Sequence, residues 1–397
     1  MKTPYNKGTY GFDVEFLAGN NIGFVELTIP ESKATVLIVP GFQGRVMTSS
    51  AGGNEGTSYG WINYSLIESG KKSDQFNPFG GEERFWLGPE GGPFSIYFEE
   101  GEEQAFPNWN VPKEIDTESF DLISRDPQSV SFRKEFSLMN ASGTRLQIGV
   151  KRSVRILSRN EAEDALSVKL DTSLSFVGYE SENILMNRGG FDWDRTTGAL
   201  SIWMLSMFNP SEKGVVVIPY KTGDETGSGK IVTDDYFGKV APDRLITGNG
   251  ILLFKTDGKS RSKIGLSPQR ALPYCGSYDS ENRVLTLLKY SLPDKPSVYV
   301  NSKWGEQEDP FLGDVLNAYN DGPVEDGSIM GPFYEIESSS PAALISAGDQ
   351  ITHTQQIFHI TGEEERLSFI TEQLFGMDIE EIKEAFNREE TVQSPVK

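Results

Sequence analysis

The stretch GPFYEIESSSPAALISAGDQITHTQQIFHITG, Gly331 to Gly362, decides the fold. FYEIES (333–338) and ITHTQQIFHI (351–360) alternate apolar and polar residues with period two, as half-buried strands do. Between them lies a polar turn rich in Ser, Pro, Gly and Asp, which punctuates rather than continues a strand. Glu335 and Glu337 are two positions apart, so both project from one face of the first strand. His353 and His359 are six apart, which puts them on one face of the second strand about 20 Å from each other, too far to share a metal ion without a bulge.

The same alternation recurs upstream in FVELTI (24–29), KATVLIVP (33–40), SVSFRKEFSL (129–138), RLQIGVKRSVRIL (145–157) and ALSVKLDTSLSFVGYE (165–180). GVVVIPY (214–220), GILLFKT (250–256) and RVLTLLKYSL (283–292) continue it. Helical spacing emerges only at the end, in Leu367, Ile370 and Leu374 and then Ile379, Ile382 and Phe386, with Thr361 as a cap and Gly376 as a stop. The class predicted is all-β, mainly antiparallel: one large sandwich over 1–362, a C-terminal helical segment packed on it over 363–387, and a tail over 388–397. Long connections at 51–79, 98–118 and 304–330 are where function is expected.

The chain has 397 residues, with 58 acidic against 37 basic side chains and a net charge of −21. That balance argues against a nucleic-acid partner, which needs clustered Lys and Arg. One cysteine, Cys275, excludes a disulfide framework and reads as a small buried apolar residue. No apolar run approaches the roughly 20 residues of a transmembrane helix. No secretory leader pattern opens the chain. With only two histidines, any His-based metal site or catalytic group must draw on His353 and His359.

The closing segment, with its SAGD turn (346–349) and its His353-Thr354 strand, resembles that of the galactose mutarotase-like superfamily. ILMNRGGFDW (184–193) is similar to a strand end of that superfamily, and PGFQGRVMTSS (40–50) to its early strand and turn. With GGEERFWLGPEGG (80–92) and WMLSMFNP (203–210), most of the chain resembles a bacterial family of mutarotase-like proteins of unknown activity. The resemblance implies a β-supersandwich with a sugar-sized cleft on a sheet face, and a small-molecule or oligosaccharide ligand. It implies export if a leader has been removed, and otherwise the cytoplasm. It does not fix the oligomeric state.

In the mutarotases a late-strand glutamate acts as base and a histidine as acid, with a second histidine in a His-Gly-Gly turn holding the sugar. Glu335 or Glu337 matches the base. Arg188 stands at the acid's place beside the matching Asn187, and a guanidinium does not shuttle protons near neutral pH. Glu90, in PEGG, takes the place of the second histidine. His353 matches a structural histidine. The resemblance therefore implies a carbohydrate-binding or carbohydrate-processing protein without the usual histidines. The alternatives are a non-catalytic glycan-recognition or structural protein, and a carboxylate-dependent epimerase or glycoside hydrolase drawing on Glu82, Glu83, Glu90, Glu335 or Glu337.

The candidate catalytic residues are Glu335, Glu337 and Glu90, and the candidate contacts are Arg84, Trp86, Asn187, Arg188, Trp109 and Arg45. Lys239, Lys263 and Arg270 are further cations available to an acidic sugar. Asn320, Asp321, Glu325 and Asp326 supply hard oxygen atoms that suit calcium, without EF-hand spacing; no other cofactor is expected.

Overall fold

The computed structural model describes residues 3–324 and 326–387. Its frame is a ten-stranded sheet facing a five-stranded one, with a three-stranded sheet of Val25–Thr28, Thr35–Val39 and Arg45–Ser50 at the side. Strand pairings within all three sheets are antiparallel. The all-β class read from the sequence stands.

The five-stranded sheet runs in the order Ser262–Leu266, Leu316–Asn320, Tyr334–Ser339, Ser201–Phe208, Arg84–Gly88. Its strands alternate faces. Ile336 and Met204 point into the core with Phe85 and Leu87, against Val150, Leu185 and Ile357 of the large sheet. Glu335, Glu337, Trp203, Leu205, Arg84 and Trp86 therefore share the opposite face. Register confirms this, because Arg84 pairs with Leu205 and Leu205 with Glu337.

Polar groups also cross the core. The Glu83 carboxylate meets Arg152 at 2.6 Å, both fully buried, and accepts from Gln355 at 2.8 Å. Gln355 donates to Ser206, and Ser338 bonds both Gln355 and His353. These bonds tie the strands that carry the acidic face to the large sheet, since a buried polar group left unpaired is costly.

Several local expectations change. A helix forms at Tyr10–Gly19, where the apolar residues do not gather on one side to announce it. Residues 159–166 form a helix closed by a Ser158–Glu161 capping box, and the strand begins only at Ser175. The connection over 304–330 contains the Leu316–Asn320 strand. The C-terminal helices run Glu364–Phe375 and Ile379–Lys383, the first capped at Glu363 rather than Thr361 and stopped at Gly376 in the left-handed conformation. Leu367, Ile370, Phe375, Ile379 and Ile382 bury against Val215, Leu285 and Phe358 of the large sheet's outer face. Cys275 is fully buried, and burial raises its thiol pKa. The tail over 388–397 lies outside the described residues. Among the described residues no helix is long and apolar enough to cross a membrane.

Candidate functional site

Over the outer face of the five-stranded sheet lies a cleft with two joined lobes, of about 390 and 120 Å³. Glu90, Trp203, Lys263, Arg261 and Trp304 line both lobes. Sheet residues form the floor, and three connections form the walls: the turn at Glu90, the segment 235–237 and the segment 300–304. The walls are fastened to one another. Gln104 receives the amide hydrogens of Gly92 and Gly305, and Asp235 pairs with Lys303 at 3.1 Å. Tyr236 donates to Asp314 at 2.6 Å and accepts from Asn317. Gly91 is required here, because a Cβ would stand 2.3 Å from the Lys303 carbonyl oxygen.

The structure brings Glu90, Glu335, Glu337, Arg84, Trp86 and Trp109 around this one cleft. Arg84 donates to Glu335 at 3.0 Å. Glu337 accepts from Lys263 at 2.8 Å and from the Trp203 indole at 3.0 Å. Burial pushes the Glu335 carboxyl up, with Arg84 opposing and the neighbouring Glu337 adding to the rise. Burial likewise pushes Glu90 up, to about 7, against the pull of Lys263 and a hydrogen bond from Trp304. Burial would lower Lys263, but Glu337 and Glu90 outweigh it and its pKa is raised. The Nε and Nη1 of Arg84 and the indole nitrogens of Trp86 and Trp109 are buried without a protein acceptor.

Three sequence candidates lie elsewhere. Arg45 opens the third strand of the small sheet, is buried, and donates to the Gly80 carbonyl and to Gln43. Asn187 is buried at a strand end, where it donates to the Phe191 carbonyl and accepts from Gly189. Arg188 is exposed and pairs with Glu135 at 3.4 Å. Asn187 and Arg188 belong to the large sheet and its following turn, so the motif resemblance there marks a corner of the fold and not the cleft wall.

Both histidines are buried away from this cleft, His353 in the core and His359 at the floor of a separate pocket of about 220 Å³. His353 is held by Ser338 at 2.8 Å and Ser291 at 3.1 Å, and burial lowers its pKa to about 3. His359 meets Glu82 at 2.9 Å and Thr286 at 2.9 Å. Glu82 and Glu83 are thus core carboxylates, outside the cleft. Of the other cations, Lys239 pairs with Asp234, and Arg270 donates to the carbonyls of Lys221, Gly223 and Gly229.

The calcium candidates have other partners. Asn320 accepts from the Gly258 amide, Asp321 from Tyr319 and Gly331, and Asp326 from the Ser328 amide. Glu325 lies outside the described residues. Among the described residues no cluster of three His, Cys, Asp or Glu side chains is placed to hold a metal.

Sequence reasoning did not single out Trp203, Tyr236 and Arg261, which line the candidate cleft. Trp203 was legible as an outward position once WMLSMF is read as a strand in register with Glu337. Tyr236 and Arg261 come from connections whose docking no local pattern reports.

Comparison with known proteins places the frame. No curated protein matches the chain. The Slr1438 protein from Synechocystis sp. PCC 6803 is similar in fold, with a TM-score of 0.50 at 12% identity over 86% of this chain and 96% of that one. A galactose mutarotase-like protein from Lactobacillus casei ATCC 334 gives a TM-score of 0.45 at 10% identity, covering 85% of this chain and 100% of that one. A galactose mutarotase related enzyme from Lactobacillus acidophilus gives 0.45 at 8% identity, covering 85% and 97%. Through residues 8–386, the chain belongs to a family of unknown function, DUF6786.

Proposed function

We propose that this protein binds a saccharide in the cleft above the five-stranded sheet and moves protons on it with carboxylates alone. The observation that carries this reading is convergence. Glu90, Glu335 and Glu337 share one cleft with Trp86, Trp109, Trp203 and Trp304, while neither histidine lines it. The half-buried Trp304 indole suits the apolar edge of a sugar ring, and the paired acids and cations suit hydroxyl groups.

Opening a hemiacetal or cleaving a glycosidic bond requires a proton donor and an acceptor. Glu90, with its pKa raised to about 7, is the donor in this reading. Glu337, held by the donors Lys263 and Trp203, is the acceptor. Arg84 positions Glu335 and presents its remaining N–H groups to the ligand.

A second reading, glycan recognition without chemistry, is favoured by one feature: Glu335 and Glu337 are each already committed to a cation. The test is a thermal-shift and tryptophan-fluorescence screen against neutral and acidic sugars, followed by anomer-exchange NMR and hydrolysis assays on each ligand found. Turnover that drops in Glu90→Gln and Glu337→Gln while binding persists supports the catalytic reading. Binding without turnover in the wild type leaves only recognition. No saccharide binding at all overturns both.

A further inference from the structure

Four cations line the cleft, and each lies over an aromatic ring. Arg84 is 4.2 Å from the Trp86 centroid, Arg261 is 4.0 Å from Phe237, Lys263 is 5.1 Å from Trp203, and Lys303 is 5.7 Å from Tyr236. Such contacts stiffen long side chains and occupy ring faces that a cationic ligand would otherwise use. Three of the four have carboxylate partners: Arg84 with Glu335, Lys263 with Glu337, Lys303 with Asp235. The buried acid Asp314 is matched in turn, since it accepts from Tyr236.

Arg261 is the exception. It is exposed, it lines both lobes, and among the described residues no carboxylate lies within ion-pairing distance of it. Deeper in the cleft, Arg84 retains two buried nitrogens without a protein acceptor. A ring-supported guanidinium that lines both lobes without a direct ion pair, its charge felt only at longer range by Glu90 and Asp321, stands out in a chain of net charge −21. We propose that the cleft is selective for an anionic saccharide, whose carboxylate, sulfate or phosphate group meets Arg261 while Arg84 binds the sugar further in. This rests on the reading that the cleft holds a saccharide, and adds the charge class of that ligand. A guanidinium forks onto all three groups, so the chemistry is shared among them.

The test titrates wild type and Arg261→Gln with glucose and galactose, their uronates, their 6-sulfates and their 6-phosphates, at low and high salt. At least one anionic form is expected to bind the wild type about tenfold or more tightly than its neutral parent, the scale of one charge-assisted hydrogen bond. That advantage of anion over neutral parent should shrink in high salt and disappear in Arg261→Gln. The anionic form that binds identifies the group. Neutral sugars binding as tightly as every anion, or an Arg261→Gln variant that keeps the preference, overturns the inference and leaves saccharide binding standing. Failure of all the sugars to bind overturns the saccharide reading and the inference together.

Discussion

Arg84 and Glu335 meet at 3.0 Å although 251 positions separate them in the chain. Only the intervening Ser201–Phe208 strand, paired with both of their strands, brings them together. Replacing Arg84 with Met strands a buried carboxylate, and a loss of about 3–5 kcal/mol is expected in urea unfolding. The double variant Arg84→Met, Glu335→Met should recover most of that loss, because neither charge is then left alone in the interior.

Glu90 predicts a pH dependence with a definite sign. Its folded pKa of about 7 lies above the ordinary 4.5, so the folded state binds the proton more tightly than the unfolded chain does. Its contribution is therefore full below about pH 4.5 and lost as pH rises to about 7. Glu90→Gln should flatten that part of the stability curve and stabilise the protein at pH 8, by on the order of 2 kcal/mol given the solvent in the cleft. Denaturant midpoints measured from pH 4 to 8 decide it. Equal slopes in the two proteins would refute the placement of this carboxyl. In an active wild type, turnover should fall above about pH 7.

His353 predicts the opposite limb. Its folded pKa of about 3 lies below the ordinary 6.5, because burial between Ser338 and Ser291 disfavours the charged ring. Its contribution is present above pH 6.5 and lost as pH falls toward 3. His353→Asn should remove about 1.4 kcal/mol of acid destabilisation per pH unit below 6.5. The readout is the pH slope of unfolding free energy, and an unchanged slope counts against a neutral buried ring.

Trp304 stands at the junction of the lobes, half-buried, with its ring 6.2 Å from Trp109. Four of the six tryptophans line the cleft, so ligand binding should alter intrinsic fluorescence directly. Trp304→Phe is expected to weaken saccharide binding several-fold while keeping most of the packing against Phe98 and Trp109. Unaltered affinity would remove Trp304 from the site.

Part of the candidate cleft's lining was legible before folding. Glu335 and Glu337 two apart on a strand, and Arg84, Trp86 and Glu90 in a glycine-rich turn, are local facts with local consequences. Asn187 and Arg188 lie away from the cleft because motif similarity reports position in a fold, not which side of a sheet a turn faces. Glu82 and Glu83 lie away from it for a related reason. Adjacent acids look alike in sequence, yet one meets His359 and the other Arg152 inside the core.

By itself, the sequence determined the strand-rich class, the absence of a disulfide framework, the shortage of histidine and the face shared by Glu335 and Glu337. Those follow from composition and from period-two geometry, which act over a few residues. Tertiary structure alone decided that Lys263, Trp203, Arg261 and Trp304 join Glu90 above one sheet, and that both histidines are buried away from that cleft. Pairing between strands hundreds of residues apart sets those neighbours, and burial then sets how tightly each charged group holds its proton.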